Sequence, residues 1–163
     1  MKLNEEGGCF TRFLLLEKIM SINTVPASRV TPEKIERLGE REIFVFGSSL
    51  MGVHFGDAAR VAYDKFGAGG VSEGLKGSTY AIPVVRAGID MVKPHIEAFL
   101  SFARSHTEYR FFVTRIGCGI AGFTDEDIAP LFAVAVGMEH VTLPASFWEV
   151  LQRKGLYVPH IPP

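Results

Sequence analysis

Residues 110–124 read Arg110-Phe-Phe-Val-Thr114-Arg-Ile-Gly117-Cys-Gly119-Ile-Ala-Gly122-Phe-Thr124. Arg110 to Thr114 is the clearest strand signal in the chain, a short run of aromatic and branched residues. It passes straight into a glycine-spaced loop. Beyond the loop, Thr124 with Asp127 three residues later, then Ile128, Leu131, Phe132 and Ala135 at helical spacing, predict a helix. Pro130 removes one backbone donor there, so an irregular first turn or a kink is expected.

The same order of parts occurs upstream. Glu42 to Phe46 reads as a buried strand ended by Gly47, a glycine-spaced loop runs to Asp57, and residues 57–66 carry a helical stripe stopped at Gly67. Ahead of it, Thr31 followed by Pro32 and Glu33 predicts a capped helix to about Leu38, without a reciprocal capping box because Lys34 holds the required position. Residues 68–78 are rich in Gly and Ser and read as loop. Thr79 to Ile82 is a strand closed by Pro83, and a helix is expected from Pro94 with Ile96, Phe99, Leu100 and Ala103 on one face. Val141 to Leu143 and a helix from Pro144 to Lys154 complete the series. Short apolar strands alternating with amphipathic helices predict an α/β fold, a three-layer α/β/α domain around a mixed or mostly parallel sheet.

The chain has 163 residues, 47% of them apolar, which suits one domain with a sizeable core. We place that domain at residues 30–155, with an N-terminal extension at 1–29 and a C-terminal tail at 156–163. The 17 Lys and Arg against 18 Asp and Glu leave a net charge of -1, so the basic surplus of a non-specific nucleic-acid binder is missing. Cys9 and Cys118 are too few for a disulfide framework or a four-cysteine zinc site, and His95, His106, His140 and His160 have no metal-ligand spacing. No metal or cofactor is expected, and two lone cysteines fit a reducing cytoplasm. The apolar run Phe13 to Leu16 is too short for a secretory signal, and no run approaches a membrane helix. Met20 is a second plausible start, so residues 1–19 are read as an extension.

In open α/β sheets, ligands bind beyond the carboxyl ends of strands. Two loops qualify. The first, Gly47 to Asp57, offers Gly47, Ser48, Ser49, Gly52 and Gly56 for ligand contact. The second offers Gly117, Cys118, Gly119, Ile120, Ala121, Gly122 and Phe123. Glycines let backbone amides approach an anion, and a following helix N-terminus adds partial positive charge, so both loops suit phosphate, although glycines also simply make tight turns. Gly117, Gly119 and Gly122 spell GxGxxG, but a dinucleotide fold needs the motif in its first unit and an acidic residue ending the next strand; Glu139 precedes its strand. Neither loop has the Gly-Lys-Ser/Thr ending of a Walker A loop. Asp57 and His54 are the candidate catalytic groups, each with a plainer role as helix cap or turn stabiliser. Cys118 is either a packing residue or a nucleophile activated by an electropositive loop. Phe123 is placed to stack on a base or ribose.

The stretches Ile43 to His54, Gly77 to Pro83 and Val113 to Phe132 together resemble an uncharacterised bacterial and phage family, over about Val30 to Leu151. That family resembles a divergent macrodomain, the α/β/α module that binds ADP-ribose. The order of parts carries the likeness: Gly47 to Asp57 corresponds to the first ligand loop, and Gly117 to Phe123 to the glycine-rich loop that cradles the diphosphate. Ser49 stands where the family usually has Asn, and His54-Phe-Gly-Asp57 where it usually reads His-Gly-x-Gly. The resemblance implies binding of ADP-ribose or an ADP-ribosylated molecule, with hydrolysis of an ADP-ribose linkage as the enzymatic version. The alternatives are a non-catalytic reader module and a nucleotide-processing enzyme that uses Cys118.

Overall fold

Side chains of the central strand alternate between two apolar layers, and that alternation sets the architecture. A computed structural model of the chain describes residues 25–49, 56–84, 88–119 and 121–158. Strand β1 (Glu42–Ser48) points Phe44 and Phe46 to one face and Ile43 and Val45 to the other. On the first face lies α1 (Asp57–Phe66), which buries Ala59, Ala62 and Phe66; the Phe44 and Phe66 rings stand 5.2 Å apart. On the second face lie α2 (Ile89–Ser105), the short α3 (Asp125–Ile128) with the 3-10 segment Ala129–Gly137 that continues it, and α4 (Ala145–Arg153). Phe99 of α2 is the hub there, edge-on to Tyr80 and Phe111 at 5.0 and 5.5 Å. The fold is α/β in three layers.

The other strands are β2 (Gly74–Lys76), β3 (Thr79–Pro83), β4 (Arg110–Val113) and β5 (Val141–Thr142), in the order β2-β3-β1-β4-β5. All neighbours are parallel except β2 with β3, and Phe44 pairs with Thr79 on one side and Phe112 on the other. The chain leaves β1 towards α1 on one face and leaves β4 towards α3 on the opposite face. The carboxyl ends of β1 and β4 therefore form a topological switch point, where a crevice opens between adjacent strands.

Three local expectations are corrected and a fourth is met. Residues 33–38 are not helical. Thr31 gives its amide to Leu143 and exchanges a 2.8 Å hydrogen bond with the Thr142 hydroxyl, so its side chain is committed to the sheet edge and caps nothing, while Ile35 and Leu38 pack on the Phe44 layer. Strand β2 lies inside the stretch read as loop, and the turn at Gly77, at φ 58°, presses so close to the end of α1 that a Cβ would stand 2.9 Å from the Phe66 carbonyl. Helix α2 begins five residues before Pro94 and runs through it, losing one backbone donor near its start. The irregularity expected at Pro130 is present on a larger scale: α3 is one turn long and the chain continues as nine residues of 3-10 helix.

Residues 25–29, on the extension side of the expected boundary, pack against the domain. The Arg29 guanidinium donates to the carbonyls of Ala135, Val136, Met138 and Val141 at the close of the 3-10 segment, and lies 5.2 Å over the Trp148 ring. Tyr157, in the expected tail, packs edge-on to the same ring at 5.0 Å. Among the described residues, no helix is long and apolar enough to cross a membrane.

Candidate functional site

Backbone geometry at the ends of β1 and β4 builds the site. Gly47 lies where a Cβ would meet Val84 Cγ2 at 3.0 Å, and the hydroxyl of Ser48 donates to the Ser72 carbonyl. The Val84 amide bonds the Ser48 carbonyl, so the ends of β3 and β1 are tied together. Past β4, Thr114 returns both its amide and its hydroxyl to the Val45 carbonyl, at 3.1 and 2.8 Å. The loop then turns through Gly117, whose φ of 75° and close neighbours Phe123 and Ile128 leave no room for a side chain. It closes with bonds from Cys118 to the Arg115 carbonyl, from Gly122 to that of Gly119 and from Phe123 to that of Gly117. The amides of Gly117, Gly119 and Ala121 have no hydrogen-bond partner among the described residues.

Across from this loop stands the N-terminus of α1. Gly56 is its N-cap and supplies no side-chain bond; the first helical bond runs from the Arg60 amide to the Gly56 carbonyl. The amides of Asp57, Ala58 and Ala59 therefore have no hydrogen-bond partner among the described residues and sit at the positive end of a ten-residue helix. The described ends of the first loop and the second loop line one cleft of about 640 Å³, a size common for small-molecule sites.

Of the residues singled out from sequence, Gly47, Ser48, Ser49, Gly56 and Asp57 line this cleft from one side, and Gly117, Cys118, Gly119 and Ala121 from the other. Gly52, His54 and Ile120 lie outside the described residues. Gly122 and Phe123 are not part of the wall. Phe123 is half-buried, packed against the main core beside Gly117. Asp57 is the first helical residue, not the cap, and its exposed carboxylate gains from the helix dipole. Ala58, Ala59, Val84, Thr114, Arg115 and Ile116 also line the cleft. Sequence carried a signal for one of them: Arg115 is a charged residue wedged between a strand and a glycine loop.

Arg115 grips Asp125 with two parallel bonds, Nε to Oδ1 at 3.0 Å and Nη2 to Oδ2 at 2.9 Å. Ser146 of α4 donates to the same carboxylate at 3.1 Å. Burial alone would raise the Asp125 carboxyl, but the bonds from Arg115 and Ser146 outweigh it and hold the group below its ordinary range. Cys118 has the opposite environment from an activated thiol. Burial first, and then the neighbouring Asp125 carboxylate 3.6 Å from Sγ, push it up to about 12, so it stands in the cleft as a neutral donor. Among the described residues, no three His, Cys, Asp or Glu side chains converge as a metal-ligand set. Compared with protein-family models, curated proteins and solved structures, the chain matches none.

Proposed function

We propose that the cleft binds a nucleotide through its diphosphate, with ADP-ribose or an ADP-ribosylated molecule as the leading ligand. One observation carries this reading. The amides of Gly117, Gly119 and Ala121, without a hydrogen-bond partner among the described residues, belong to residues that line the same cleft as the N-terminus of α1, at the switch point of the sheet. Both walls are donors of the kind that hold phosphate oxygens, and neither needs a basic cluster to do so. Ala58, Ala59, Val84 and Ile116 give the same cleft apolar surface for a sugar or base. The resemblance of the loop order to a macrodomain nominates ADP-ribose among nucleotides.

Hydrolysis of an ADP-ribose linkage would fall to Asp57, the one carboxylate among the described lining residues, positioned to orient water or a ribose hydroxyl. Use of Cys118 as a nucleophile is disfavoured by its protonated thiol. Calorimetric titration with ADP-ribose, ADP and AMP tests the proposal: saturable binding of the first two supports it, and absence of binding by all three at millimolar concentration removes it.

A further inference from the structure

Among the described residues that line the cleft, Arg115 is the one basic side chain. Its guanidinium is held by a carboxylate outside the cleft wall. Nε and Nη2 are spent on Asp125, while Nη1 has no hydrogen-bond partner among the described residues. Asp125 is itself fixed by the Ser146 hydroxyl, so the fork is braced by α3 and α4. A braced guanidinium loses little freedom on taking an anion, and it presents N–H groups in the geometry that suits a phosphate oxygen. The cleft thus holds two places for negative charge: the first amides of α1, and the amides of Gly117, Gly119 and Ala121 with Arg115 on the same loop.

Resting on the diphosphate reading above, we propose that Arg115 is the residue by which the site selects two adjacent phosphates over one, with Asp125 as its positioning residue. A monophosphate satisfies one place and leaves the other to water. A diphosphate spans both, and Arg115 offsets the charge that the second phosphate brings near Asp57 and Asp125. Arg115→Gln removes that offset and leaves Asp57 in the cleft wall and Asp125 outside it uncompensated. Arg115→Lys keeps the charge but cannot serve Asp125 and a phosphate together.

The test is calorimetric titration of the full chain, wild type, Arg115→Gln and Arg115→Lys, with ADP-ribose, ADP, AMP and inorganic pyrophosphate. Wild type should prefer ADP to AMP by about tenfold or more. Arg115→Gln should lose roughly 10–100-fold on ADP, ADP-ribose and pyrophosphate, the range of a lost bond to a charged group, and little on AMP, with Arg115→Lys between. The side chain is 57% exposed and the loop closes through its backbone, so both variants should melt like wild type. Equal affinity of Arg115→Gln and wild type for ADP, or no wild-type preference for ADP over AMP, overturns the role of Arg115 and leaves nucleotide binding standing. Arg115-dependent binding of pyrophosphate without binding of any nucleotide upholds Arg115 and overturns the nucleotide reading. Failure of all four probes on wild type overturns both.

Discussion

A Cβ built on Gly47 would stand 3.7 Å from the amide nitrogen of Gly117, so the two loops meet backbone to backbone at the floor of the cleft. The same Cβ would lie 3.0 Å from Val84 Cγ2, which leaves no slack for a side chain. Gly47→Val should therefore overpack the junction of β1, β3 and the second loop. The expected cost is about 2 kcal/mol, or roughly 4–8 °C in Tm for a chain of this size, read by thermal unfolding. An unchanged Tm would mean that the loops do not meet this closely.

Gly119 is the contrasting position. Nothing lies within 4 Å of a Cβ there, and its backbone is not in the left-handed region. Gly119→Val should fold with a Tm near wild type and weaken ADP-ribose by about tenfold or more, because a branched side chain would crowd the amides offered to the anion. A folded variant with unchanged affinity would move the diphosphate away from this loop.

Asp57 separates a hydrolase from a reader. As the first residue of α1 it gains only the dipole term, so Asp57→Asn should cost about 0.3–1 kcal/mol of stability at most. Loss of a carboxylate beside an anion site should tighten ADP-ribose several-fold at low salt. In a hydrolase the same change should cut turnover on an ADP-ribosylated substrate by about 10²–10⁴-fold, the usual range for a lost acid or base. Full turnover in the variant would take Asp57 out of the chemistry.

Cys118 should behave as a protected thiol. Its pKa is raised from 9.0 to about 12, so near neutral pH the thiolate fraction is about a thousandfold below that of a free cysteine, and alkylation should be correspondingly slow until the protein is unfolded. The sign for stability follows: the fold favours the neutral thiol, so this contribution is complete below about pH 9 and is lost as pH rises towards 12. Mass spectrometry of the Cys118 peptide after timed alkylation, native against denatured, reads it directly. Fast native alkylation at pH 7 would restore the nucleophile.

How much of this was legible in the sequence depends on the range of the interactions involved. The strands at Glu42 and Arg110, the glycine loops after them and their place at strand ends are local patterns, and each was read from a window of about fifteen residues. Thr31 shows where such windows fail. Locally it looks like a helix cap, but its hydroxyl is taken by Thr142, 111 residues away. Strand β2 has three residues and no alternation, so it exists through its pairing of Leu75 with Tyr80 and is invisible without it. Phe123 follows the glycines in sequence, but its packing against the core beside Gly117 depends on the turn there and on Ile128, and no local pattern shows it. The local signal at Arg115 is only a charge between a strand and a glycine loop, and its meaning depends on Asp125, itself bonded by Ser146, being folded against it.

The most direct measurement is thermal unfolding of wild type with increasing ADP-ribose. A ligand held by the native cleft at 100 times its dissociation constant should stabilise the domain by about 2.7 kcal/mol, a rise of roughly 5–11 °C that grows with concentration and is weaker with AMP. A Tm that does not move with ADP-ribose or ADP at millimolar concentration would contradict the claim that this cleft is a diphosphate site.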